Sequence, residues 1–227
     1  EYSPPFINVL YRGVGEGGYQ GYQAGSRHIR IFLDPAPANN DVPVDPAVVS
    51  TVMVDTTYSF TAGTYYTLFE VGSARAKTTK LIIHPDTLPA QGAGIQYRVT
   101  NLATVQGAVD VYVVADSTSA LAGAPTIASL AAGTSSAYTS RATGAFYIRL
   151  TAPGNPAAPI GKANGYILQA GTAGTTSADP IYGSGQAGSI FTAYIFDASA
   201  AGSPGATFAT PGVIYFPDVQ PPRTTTP

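Results

Sequence analysis

The stretch "IQYRVTNLATVQGAVDVYVV", residues 95–114, decides how this chain is read. In Ile95-Gln-Tyr97-Arg-Val99 every second residue is apolar, and Val109-Asp-Val111-Tyr-Val113 repeats the pattern. A period of two is that of a strand with one buried face. The stretch therefore reads as two strands around a turn. Outward from it, short β-rich runs cover residues 6–11, 28–33, 48–54, 64–71, 80–84, 145–151, 165–170, 189–197 and 212–216. Gly (25 residues) and Pro (19 residues) interrupt the chain too often for long helices. Many short strands with turn residues between them predict an all-β sandwich. The Ala-rich stretch 120–132 is the one place for a helical turn, although Gly123 and Pro125 cut it.

The chain repeats itself. "LIIHPDTLP" (81–89) matches "VIYFPDVQP" (213–221), and "TAGTYYTLFEV" (61–71) matches "QAGSIFTAYIF" (186–196). "GYQGYQAGSRHIRI" (18–31) matches "AYTSRATGAFYIRL" (137–150), with Tyr19 on Tyr138 and Gly25 on Gly144. The blocks keep their order, so two copies of one module follow each other. The expected division is residues 1–92, residues 93–221 and a Pro/Thr tail, 222–227, with "PAQGAG" (89–94) as the linker. The second copy opens with the hairpin 95–114, and the first shows no counterpart. A sandwich short of strands leaves backbone groups and an apolar face unsatisfied. Three explanations stay open: a longer natural chain, a module built with fewer strands, or a strand supplied by another subunit.

The second copy resembles domain-of-unknown-function family 4397, found in secreted and cell-surface bacterial proteins. The residues that carry the likeness are Arg98, Val99 and Asn101 (R-V-x-N), then Val109-Asp110-Val111-Tyr112 (V-D-V-Y). Ala62-Gly63-Thr64-Tyr65 and Ala187-Gly188-Ser189 follow a later strand entry of that family, and Pro85-Asp86 and Pro217-Asp218 its closing element. The resemblance implies two tandem Ig-like antiparallel β-sandwich modules in an extracellular or cell-surface, prokaryotic setting. It implies no activity.

Composition bears on partners. Hydrophobic residues make up 44% and charged ones 11%, with a net charge of −2 and no Cys. That charge gives no footprint for nucleic acid or an anionic membrane, and no apolar run reaches the length of a membrane span. Without Cys there is no disulfide framework or thiolate nucleophile. Low charge and few Lys lean towards a secreted prokaryotic protein. The chain starts at Glu1 without Met or a signal peptide, which fits a processed chain or a fragment.

Candidate sites are sparse. Gly13-x-Gly15-x-x-Gly18 has the spacing of a dinucleotide fingerprint, but the residues after it are poor helix formers, so it reads as a turn. Asp34, Asn39, Asp41 and Asp45 offer oxygens of the kind calcium takes, within a Pro-rich stretch that reads more simply as a surface loop. His28 and His84 fall inside strands and read as structural, and Ser184 lacks a nucleophile elbow. On the strand period Asp110 points to solvent or to a neighbouring strand's turn, and Asp86 and Asp218 read as acceptors of backbone N–H groups in turns. The sequence thus predicts no enzyme and no cofactor beyond the calcium candidate. The 15 Tyr fit contact surfaces as well as strands. The leading expectation is a self-assembling surface or filament subunit that pairs strands between copies, using Phe6, Ile7, Val9, Tyr11, Tyr19 and Tyr22. The alternative is a monomeric adhesin or carbohydrate-binding module meeting surface glycans.

Overall fold

A computed structural model describes residues 19, 21–33, 51–74, 76–163, 165–168, 185–199 and 208–219. The described residues are all-β and contain no helix. The chain divides into two compact units, Glu1–Thr87 and Leu88–Pro227.

The second unit holds two five-stranded sheets around one core. One sheet places β5 (Ile95–Asn101) between β13 (Ile190–Phe196) and the short β8 (Thr134–Ser135) and β9 (Thr139–Arg141), with β14 (Gly212–Val219) beyond β13. The other places β10 (Phe146–Ala152) between β6 (Val109–Val114) and the pair β11 (Asn155–Ile160) and β12 (Tyr166–Leu168), with β7 (Ile127–Leu130) outside β6. Ile95, Val99, Val109, Val111, Phe146, Ile148, Phe191 and Ile195 are at or near zero exposure. These are the alternate positions of their strands, so the period-two pattern of the sequence is the core itself.

Among its described residues the first unit holds two ribbons. β1 (Gly25–Phe32) pairs with β2 (Val52–Phe60), and β3 (Tyr65–Val71) pairs with β4 (Lys80–Asp86). Its buried apolar side chains among the described residues are Val54, Phe69 and Val71.

The repeat holds pair by pair. In the first unit Tyr66 lies opposite Pro85, Thr67 opposite His84 and Leu68 opposite Ile83. In the second, Phe191 lies opposite Pro217, Thr192 opposite Phe216 and Ala193 opposite Tyr215. These are the residues that the sequence matches equate. Gly25 and Gly144 also correspond, with φ of 95° and 115°. Nothing lies within 4 Å of a Cβ built on either one, so the backbone angle and not space requires glycine there.

The structure departs from the sequence reading in three places. The sandwich is not antiparallel throughout, because β5 runs parallel to β13. The two strands lie far apart in the chain, which leaves room for the long crossover that parallel pairing needs. The stretch 120–132 contains the strand β7 in place of a helical turn, drawn into the sheet by pairing of Leu130 with Val109. The expected linker is tied into the second unit: Gln91 Nε2 donates to Gly188 O at 2.7 Å, and Gly188 N donates to Gly94 O at 2.9 Å.

Candidate interaction surface

The residues of the R-V-x-N and V-D-V-Y motifs have structural tasks. Asn101 Nδ2 donates to Gly107 O at 2.8 Å and to Leu130 O at 2.9 Å, while its Oδ1 accepts from Ala103 N at 3.0 Å. One buried amide thus closes the loop between β5 and β6. Asp110 Oδ1 accepts from Ser129 N at 2.6 Å, and its Oδ2 accepts from Gly154 N at 2.7 Å. Its carboxylate pins the positive-φ turns beside β7 and β10. Of the two directions the sequence allowed, the neighbouring turn is the one taken.

The closing Asp residues collect side-chain hydroxyls. Asp218 Oδ2 accepts from Tyr138 OH at 2.9 Å and from Thr192 Oγ1 at 2.7 Å. Asp86 Oδ2 accepts from Tyr19 OH at 3.2 Å and from Thr67 Oγ1. Tyr19 and Tyr138, Thr67 and Thr192, and Asp86 and Asp218 are matched residues, so one three-residue node is built twice. In the second unit Arg98 belongs to the node as well. Arg98, 5% exposed, donates from Nε to Thr192 Oγ1 at 2.8 Å, and its guanidinium lies 4.9 Å from the Tyr138 ring centroid. Burial pushes the Tyr138 hydroxyl far above the ordinary tyrosine range; nearby Asp218 adds to the shift and Arg98 opposes it.

Arg98 arrives on β5. Among the described residues, no strand of the first unit stands beside β3 as β5 stands beside β13, or beside β1 as β6 stands beside β10. Burial records the difference. Ile148 and Leu150 are each 1% exposed, whereas their matches Ile29 and Ile31 are only half-buried. Phe191 is fully buried and its match Tyr66 is half-buried.

The first unit also carries most of the exposed large apolar side chains among the described residues. Tyr22 is 58% exposed, Tyr65 51%, Phe32 50% and Val52 43%. Tyr22 meets Phe60 edge-on with centroids 5.4 Å apart, and Phe60 meets Tyr66 at 5.0 Å. Tyr19 lies tilted on Tyr65 at 4.7 Å. An aromatic group of this kind, rigid and partly in water, suits a contact surface.

The remaining candidates fall into place as follows. Phe6, Ile7, Val9, Tyr11, the Gly13–Gly18 spacing, Asp34, Asn39, Asp41, Asp45 and Ser184 lie outside the described residues. His84 packs edge-on against Phe69 at 5.5 Å. His28 and Arg30 project from the exposed face of β1 and both bond Asp55 on β2, Arg30 Nε at 3.0 Å. That cross-strand cluster was not singled out in the sequence, where Asp55 gave no signal. Its carboxyl is held below the ordinary range, first by the hydrogen bond to His28. A shallow cleft in the second unit is lined by Ser117, Ser119, Leu121, Arg149 and Pro156, and Arg149 Nη1 already donates to the Ser119 carbonyl at 2.5 Å. Among the described residues no group of three His, Cys, Asp or Glu side chains converges where a metal would sit, and no helix is long and apolar enough to cross a membrane. No known protein family matches the chain, and no curated protein matches it.

Proposed function

We propose that this chain is a non-catalytic structural protein of the cell exterior that assembles with copies of itself, its first Ig-like module being completed by a strand from a neighbouring copy. The observation that carries this reading is the contrast between the units. The same hairpin, in the same register and with the same Tyr–Asp–Thr node, sits in a closed sandwich in one unit and, among the described residues, in a two-stranded ribbon in the other. That no further strand pairs with β1 or β3 among the described residues, beside half-buried Ile29 and Ile31, favours strand addition. A head-to-tail contact of this sort does not close on itself and extends into a fibre. The motif residues Arg98, Asn101 and Asp110, committed to internal hydrogen bonds, support a framework role over catalysis. Low charge and the likeness to family 4397 support the extracellular setting.

Sedimentation velocity and electron microscopy of the purified chain over a range of concentrations test the proposal. Concentration-dependent oligomers or filaments are expected. Uniform monomers at high concentration overturn it.

The exposed aromatic group around Tyr22, Phe60 and Tyr66 favours a second reading, an adhesin or carbohydrate-binding module that acts as a monomer. Glycan-array binding by the monomer, lost in Tyr22→Ala, selects that reading.

A further inference from the structure

Arg30 and Arg149 hold matched places in the two copies, yet only one of them has a carboxylate. Arg30 on β1 lies opposite Asp55 on β2, and its Nε donates to Asp55 Oδ2 at 3.0 Å. Arg149 on β10 lies opposite Tyr112 on β6, and among the described residues no acid bonds it. Its guanidinium makes one hydrogen bond to them, from Nη1 to the Ser119 carbonyl, and its Nε is shut off from water without a partner. A guanidinium carries five N–H donors, and an arginine kept for the fold alone would satisfy more of them. The stem is nevertheless closely seated. A Cβ on Gly165 would stand 2.5 Å from Arg149 Cγ, so any side chain there would push the arginine away.

Arg149 lines an open cleft of about 480 Å³, within the range of small-ligand sites. The loop that follows Asp116 lines it too, and this loop is set in place beforehand. Asp116 Oδ1 accepts from Thr118 N, Thr118 Oγ1 and Ser119 N at 2.8, 2.8 and 2.7 Å, and Oδ2 accepts from Ser119 Oγ at 3.1 Å. These bonds occupy the carboxylate with its own loop. They also use up two successive backbone N–H groups of the kind that cradle a phosphate. The Ser117 hydroxyl has no partner among the described residues.

We propose that this cleft binds a carboxylate-bearing sugar, a uronic acid of a glycan, with Arg149 on the carboxylate and the hydroxyls of Ser117 and Thr118 on those of the ring. One guanidinium neutralises a monoanion and forks its two oxygens. Arg30 shows the same side chain, at the matched place, taking a carboxylate. A dianionic phosphate would meet a single cation, no free pair of backbone N–H groups and the charge of Asp116. Hydroxyls both donate and accept, which suits a polyol. Leu121, Pro156 and Ala157 offer apolar surface to the C–H face of a pyranose ring. The site lies wholly in the second unit, so it stands whether or not chains associate, and Tyr22 has no part in it.

Calorimetric titration of the full chain with trigalacturonate tests the assignment. Neutral galactotriose, a tri-glutamate peptide and inorganic phosphate are the comparison ligands. Saturable binding of trigalacturonate is expected, weakening as salt rises, with the three comparison ligands far weaker. Arg149→Lys keeps the charge and loses the fork, and is expected to weaken binding roughly tenfold. Ala157→Trp fills the cleft from an exposed position and is expected to abolish binding, so the test does not depend on the folding of an Arg149 variant. Tyr22→Ala is expected to bind like the native chain.

No binding of trigalacturonate up to about 10 mM overturns the proposal. Equal binding of the neutral sugar, the acidic peptide or phosphate overturns the ligand class and the proposal with it. Native affinity in Ala157→Trp or in a folded Arg149→Lys places the sugar elsewhere and also overturns it, as does loss of binding in Tyr22→Ala.

Discussion

Tyr138 donates its hydroxyl proton to Asp218 at 2.9 Å, across the sheet from a different part of the chain, and Tyr19 repeats the bond to Asp86 at 3.2 Å. Asp218→Ala leaves two hydroxyls without their acceptor beside the buried Arg98. The expected loss is roughly 3–5 kcal/mol in the second unit, by analogy with breaking buried charged networks. Tyr138→Phe removes one bond and is expected to cost about 1 kcal/mol. Urea unfolding of both variants measures this. Equal losses for the two would show that the carboxylate contributes nothing beyond its bond to Tyr138.

The same tyrosines set an alkaline limit. Tyr97 and Tyr138 both have pKa values raised by burial above the ordinary value of 10.0. A raised folded-state pKa means that the folded chain keeps a proton which the unfolded chain gives up. The stability contribution is therefore whole below about pH 10 and is lost as pH rises from there towards the folded values. Each such tyrosine adds a slope of about 1.4 kcal/mol per pH unit in that window. Thermal unfolding between pH 9 and 11 should show the second unit weakening, and Tyr97→Phe or Tyr138→Phe should flatten the dependence.

Asp110 holds two backbone N–H groups at two turns. Asp110→Ala is expected to destabilise the second unit by roughly 2–4 kcal/mol, because both donors lose a charged acceptor. Asp110→Asn keeps one carbonyl oxygen and should lose about half as much. Calorimetry of the three chains gives the comparison. A loss within error of zero in Asp110→Ala would mean that water replaces the carboxylate at both turns.

Hydrogen exchange separates the two units. In dilute solution the amides of β1 and β3 are expected to exchange far faster than those of β5, β10 and β13, whose side chains lie in the closed core. Under assembling conditions the β3 amides should slow while those of β5 stay as they were. A β3 equally protected at every concentration would mark the first unit as complete by itself.

Much of this architecture is legible before any coordinates. The alternation in 95–99 and 109–113 marks β5 and β6 because one face of each lies in the core. The repeat gives the register of β3 with β4 and of β13 with β14, since matched residues meet matched partners. Other strands are hidden for physical reasons. β11 carries Pro156 and Pro159, which suit an edge and spoil the pattern of an interior strand. β2 runs on through Asp55-Thr-Thr-Tyr-Ser, where Asp55 is held by His28 and Arg30 across the ribbon and the polar run carries no period-two apolar signal. The parallel pairing of β5 and β13 leaves no local trace, because neither strand's own residues encode which distant strand it meets. The nodes were half visible. Repetition picked out Tyr19, Tyr138, Asp86 and Asp218, but Thr67 and Thr192 are ordinary strand residues until the fold brings their hydroxyls to the carboxylates.

The bonds of Gln91 and Gly94 to Gly188 anchor the lead-in to β5. A second unit expressed from Leu88 should therefore keep its full stability, whereas one begun at Ile95 should lose both fastenings and fray at its first strand.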